Sequence, residues 1–136
     1  MQFVPLIFLL HTSCAKKTQR IALSELLPQQ ISSIPIGMDL SLFESEHPAE
    51  YERIALGEDL IYLKKNVDSP DVMYVQYQFQ KSELKEVLIG YKASFGAQDV
   101  ATSLYGPPND EGRWLATNSN NSSVIIEIFD NKIIYR

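Results

Sequence analysis

Apolar and polar positions divide the chain into an unbroken apolar run, a polar stretch and a patterned remainder. Met1 to Leu10 read MQFVPLIFLL, with no charged side chain. Residues 15–34 turn polar, holding Lys16, Lys17, Gln19, Arg20, Gln29-Gln30 and Ser32-Ser33. Leu23, Leu26 and Leu27 suffice for a helical turn or two, which Pro28 ends. From about Ile34 the pattern is that of a folded domain. Asp39 or Ser41 is placed to cap a short helix through about Glu46, with Met38, Leu42 and Phe43 on one side. His47-Pro48 stops it. Tyr51 to Leu56 and Leu60 to Lys64 are short β-like runs about a Gly57-Glu58-Asp59 turn.

The next two runs alternate more cleanly. Met73, Val75, Tyr77 and Phe79 alternate with Tyr74, Gln76 and Gln78, the period of a half-buried strand. After a Lys81-Ser82-Glu83 turn, Val87, Ile89, Tyr91, Ala93 and Phe95 alternate with Leu88, Gly90, Lys92 and Ser94. The pair predicts an antiparallel hairpin. Ala97, Val100, Ala101 and Leu104 then form a stripe at helical spacing over about Ala97–Tyr105. Gly106 suits the residue after a helix, and Pro107-Pro108 forbid continuation. Arg113–Thr117 predicts a strand, followed by a polar loop, Ser119-Asn120-Asn121-Ser122. A last hairpin joins Val124–Phe129 to Lys132–Tyr135 through Asp130-Asn131. The order predicts an α+β fold, an antiparallel sheet with two short helices packed on one face. The domain limits expected are 1–13 for a signal peptide, 14–34 for a tether and 35–136 for a single α+β domain.

Composition narrows the function more than the fold. With 45% hydrophobic and 21% charged residues among 136, the chain has the means for a core and is too apolar for a disordered protein. Its net charge of −5, with no Lys/Arg run longer than two, speaks against nucleic acid as a partner. It speaks equally against adhesion to anionic lipid by charge alone. Cys14 is the only cysteine, so no disulfide can form within the chain.

The apolar run is too short to span a bilayer as a helix, which takes about 20 residues, and it matches the apolar region of a signal peptide. It is followed by His11-Thr12-Ser13-Cys14, in which small residues lead into the cysteine, and Ala15-Lys16-Lys17 turns polar at once. HTSC resembles the lipobox of bacterial lipoproteins. His11 departs from the aliphatic residue usual there, and no Lys or Arg precedes the apolar run. The resemblance implies cleavage before Cys14, acylation of its thiol and a palmitate-bearing N-terminus in the cell envelope. Ala15 after the cysteine implies the outer rather than the inner membrane. The competing reading makes residues 1–14 an amphipathic or core segment with an incidental thiol, but no helical or strand period organises them.

Ile36-Gly37-Met38, with Leu40 and Phe43, is similar to the start of a family of small lipoproteins. That family includes the small accessory subunit of the outer-membrane barrel-assembly machinery, with a β-lactamase-inhibitor-like fold. Leu104-Tyr105-Gly106-Pro107-Pro108, then Asp110 and Arg113-Trp114, looks like the same family's turn into a tryptophan strand. Roughly 65 residues separate these fragments here, so the resemblance implies only a layered fold and a protein-binding role.

Candidate chemistry is sparse. His47 stands in Glu44-Ser45-Glu46-His47-Pro48 with Glu50 and Glu52 near, a metal or acid–base site on one reading and a solvated helix end on the other. One histidine is a thin ligand set, which favours the solvated end. Asp99, Asp110, Glu111 and Asp130 fall in helix or turn positions where local reasons explain them, and the glycines form no phosphate loop. No catalytic residue, cofactor or metal is expected. Trp114 and most tyrosines read as sheet packing, with Tyr74, out of phase, the better surface candidate. The chain thus reads as a lipid-anchored, non-catalytic module with an envelope protein partner. The alternative is a lipid-anchored binder of a small ligand or metal, or a cryptic envelope enzyme.

Overall fold

The computed structural model describes residues 34–117 and 123–136. Helix α1 is Leu40–Glu46 and helix α2 is Ala97–Tyr105. The strands are β1 (Glu52–Leu56), β2 (Leu60–Asn66), β3 (Val72–Gln80), β4 (Glu83–Tyr91), β5 (Trp114–Thr117), β6 (Ser123–Phe129) and β7 (Lys132–Tyr135). They form one antiparallel sheet in the order β1-β2-β3-β4-β7-β6-β5. The fold is α+β. The chain leaves β4 through α2, reaches the far edge as β5 and returns strand by strand until β7 pairs with β4.

Local chemistry explains each element. Asp39 caps α1, its carboxylate accepting from the backbone of Ser41 at 2.9 Å and Leu42 at 3.2 Å. The residues before the helix are pinned to the β3–β4 hairpin: Gly37 N–H donates to Leu84 O, Leu84 N–H to Met38 O and Leu40 N–H to Ser82 O. Lys81 and Ser82 turn that hairpin at positive φ, as Asp130 and Asn131 do between β6 and β7. The second pair suits its place well, because Asn and Asp tolerate left-handed backbone better than other side chains with a Cβ.

One face of the sheet carries the core. Leu63, Tyr77, Val87, Tyr135, Ile126 and Trp114 follow one another in register across six strands, with Phe79 and Leu84 beside them. Phe43 of α1 is fully buried, its ring centroid 4.6 Å from Tyr77 and 5.2 Å from Phe79. Ala97 and Ala101 of α2 join the same cluster, as does Ile34. Both helices therefore lie on one face. Among the described residues no helix lies over the other face, which bears Ile54, Tyr62, Tyr74, Leu88, Leu115 and Phe129.

Two departures from the expected alternation have a common cause. Met73 was expected inward with Val75; it is 49% exposed and Val72 is buried instead. The register shifts between Val72 and Tyr74, so Met73 is an extra residue, and a second shift at Lys85 points both Leu84 and Val87 inward. Strand β4 also stops at Tyr91. Ala93 and Phe95, expected to extend it, lie in the turn before α2. That turn is fixed by Asn131, whose amide donates to the carbonyls of Tyr91, Lys92 and Phe95 and whose Oδ1 accepts from Ala97 N–H at 2.8 Å.

Candidate functional site

Cys14 and His11 lie outside the described residues. Among those described, the singled-out groups gather at three places.

The first is a cavity of about 430 Å³ at the C-terminal end of α1, walled by Tyr51, Val67, Val75 and Tyr77 and rimmed by His47 and Lys65. His47 is held as an aromatic group: its ring lies 5.1 Å from that of Phe43, and its carbonyl accepts from the Tyr51 hydroxyl at 2.7 Å. Burial pushes both tyrosines upward in pKa, with Glu44 adding to the effect at Tyr51 and Tyr51 itself adding at Tyr77. Those hydroxyls are therefore proton holders at neutral pH, poorly suited to act as bases. Glu44 is turned to Arg53, at 3.3 Å. Among the described residues no three His, Cys, Asp or Glu side chains gather as metal ligands. Asp99 sits in the first turn of α2, and Asp110, Glu111 and Asp130 in turns.

The second is a groove of about 360 Å³ along edge strand β5, lined by Tyr105, Pro107, Pro108, Arg113, Trp114 and Leu115. The helix stop and the tryptophan strand meet here. Gly106 ends α2 at φ +80°, and its carbonyl accepts from Trp114 Nε1 at 2.8 Å. Tyr105 lies over Trp114 with ring centroids 6.5 Å apart and shares a 2.9 Å hydrogen bond with Tyr135. Leu115, 72% exposed, stands on β5, the last strand of the sheet among the described residues. Aromatic, proline and arginine side chains around a concavity are the composition of protein-binding surfaces.

The third is the uncovered face. Tyr74, the expected surface candidate, is half-buried there. Its ring covers Gly90, its partner on β4, and Lys64 Nζ lies 4.5 Å from the ring centroid. Toward its other end Arg113 and Arg136 both pair with Glu127, and Arg136 also reaches Glu86 at 2.9 Å. These pairs neutralise that half of the face, and being partly exposed they stabilise it little.

The β2–β3 loop carries a buried polar group. Ser69 and Asp71 are almost wholly buried, with Ser69 Oγ donating to Asp71 Oδ1. Tyr91 is pushed upward in pKa by burial first, then by the nearby Asp71 carboxylate and Tyr105. Lys92 N–H donates to Asp71 O at 2.7 Å, which ties the group to the Asn131 clasp.

Sequence reasoning placed Trp114 and Tyr77 in the core correctly, as both are buried. It missed the two concavities, whose walls come from distant segments. Lys65, Val75 and His47 carry no local sign that they meet. Comparison with protein-family models, with curated proteins and with solved structures finds no match.

Proposed function

We propose that the protein is a lipid-anchored envelope lipoprotein whose folded domain is a non-catalytic protein-interaction module. Lipid on Cys14 is inferred from the lipobox-like HTSC after an apolar run, and the outer-membrane address from Ala15 after the cysteine. The interaction role rests on one observation: the aromatic, proline-lined groove beside strand β5, with Leu115 protruding from it. A partner segment laid along β5 would meet a strand that, among the described residues, pairs on one side only, with an apolar recess for a side chain. His47 meets Phe43 in a tilted ring contact and accepts from Tyr51 through its backbone carbonyl. An accessory role in envelope assembly, as the fragmentary family resemblance implies, fits the same groove.

The test is site-specific photocrosslinking in the native cells. A photoreactive residue replaces Leu115 in one strain and Glu58, on the β1–β2 turn, in another, and adducts are identified by mass spectrometry. One adduct from position 115, lost in a Cys14→Ser background and absent from position 58, supports an anchored interaction module. Identical adducts from both positions, or none from 115, count against it.

The cavity beside His47 favours a second reading, a binder of a small ligand between Tyr51, Val75 and Tyr77. A thermal-shift screen that finds a compound stabilising wild type but not His47→Ala would move the function there.

A further inference from the structure

We propose that the end of the sheet from which the chain runs back toward Cys14 is a membrane-contacting surface, its lysine–aromatic strip of Lys64, Tyr74, Lys132 and Phe129 lying in the headgroup layer of a phospholipid bilayer. The inference rests on the lipid-anchor reading and adds which face of the domain the bilayer meets.

Register places the strip. Tyr74 pairs with Gly90, Gly90 with Lys132 and Lys132 with Phe129, so these residues share the uncovered face at the end of β3, β4, β7 and β6. Lys64 reaches the same strip, its ammonium over the Tyr74 ring, and Lys132 Nζ stands 5.9 Å from the Phe129 centroid. Phe129 is 67% exposed, and the bulged Met73 protrudes at the rim of the same end at 49%. Water contact with such side chains is unfavourable. An aromatic body with a lysine beside it matches the headgroup boundary, where the apolar part is buried and the ammonium meets phosphate.

The chain's path selects the bilayer as occupant. Ile34, the first described residue, lines the cavity with Lys65, near the end of β2, and Val67, just after it, at this same end. Cys14 lies twenty residues upstream, at most about 70 Å away along a fully extended chain. An acyl chain on Cys14 keeps this end near the surface, so weak contact is made at high effective concentration. Lys64, Lys65, Lys92 and Lys132 gather at this end, whereas Glu86 and Glu127 with their arginines occupy the far half of the face. Asp130 offsets Lys132, at 3.1 Å, Glu52 stands opposite Lys64 on β1 and Asp68 adds another negative charge, so the aromatic and methionine side chains carry the contact.

The test uses the full-length lipoprotein reconstituted in vesicles of phosphatidylethanolamine and phosphatidylglycerol, with acylation of Cys14 read from the intact mass. Phe129→Cys and Leu56→Cys, the latter at the opposite end of the same face, are labelled with an environment-sensitive fluorophore and challenged with brominated lipid. Quenching at position 129 several-fold greater than at position 56 is the expected result. Equal quenching, or more at 56, overturns the proposal and leaves the strip to a protein partner. If the mass shows no acyl group, the anchor reading fails by itself. The same comparison in a Cys14→Ser background, with vesicles added, then decides the surface independently.

Discussion

Asn131 offers the sharpest check on how this fold is held. Its side chain closes the β6–β7 turn onto the loop before α2, accepting from Ala97 N–H and facing three carbonyls with its amide. An NH₂ group has two hydrogens, so the three donor contacts amount to two hydrogen bonds' worth, and the acceptance makes a third. At about 1 kcal/mol net for each, removing all of them costs about 3 kcal/mol. Asn131→Gly removes them while keeping the φ of +58° free of strain. Asn131→Ala removes them and adds about 1–2 kcal/mol for a Cβ in left-handed backbone. Asn131→Asp keeps the acceptance and gains about 0.5 kcal/mol from a negative charge at the start of α2. It also sets a carboxylate against three carbonyl oxygens, for a net loss of about 2–3 kcal/mol. Urea unfolding of the full chain, followed by Trp114 fluorescence, measures the series. The expected order of stability is wild type, Asp, Gly, Ala. Wild-type stability in the Asp variant, or Ala equal to Gly, would refute the reasoning.

Other consequences follow from buried contacts. A Cβ at Gly90 would lie 2.5 Å from Tyr74 Cε1, so Gly90→Ala should destabilise by about 1–3 kcal/mol. Adding Tyr74→Ala should recover most of that loss in the same unfolding assay, and a purely additive double variant would contradict the contact. Phe43→Ala, stripping a fully buried ring that touches Tyr77, Phe79 and Tyr51, should cost about 3–5 kcal/mol by thermal unfolding. Burial raises Tyr51, Tyr77, Tyr91, Tyr105 and Tyr135 above the ordinary tyrosine range. The unfolded chain therefore loses those protons first, and stability is complete below about pH 10 and falls above it, by up to about 1.4 kcal/mol per pH unit for each. Tyrosinate absorbance should appear together with loss of near-ultraviolet circular dichroism; five tyrosines titrating freely in a folded protein would contradict this.

What could be read from the sequence was what depends on near neighbours. The stripe Ala97, Val100, Ala101, Leu104 and the stop at Gly106-Pro107 locate α2, because a helix buries one face and ends where backbone chemistry demands. The alternation of Val75, Tyr77 and Phe79 locates β3 for the same reason. Met73 was misplaced because a bulge moves the period by one residue without a mark in composition. The four-point role of Asn131 was invisible, since its partners lie 34 to 40 positions away. The candidate surfaces were hidden likewise: Trp114 and Tyr105 suggested core packing, and only the fold shows that they border an open groove.

The proposed envelope role depends on lipid at Cys14, which metabolic labelling of the native cells with a clickable palmitate analogue reads out. Wild type should take up label and Cys14→Ser none, and an intact mass should show the chain beginning at Cys14 with added acyl groups. Equal labelling of the two proteins, or an unmodified Cys14 thiol in a chain that still begins at Met1, would contradict it.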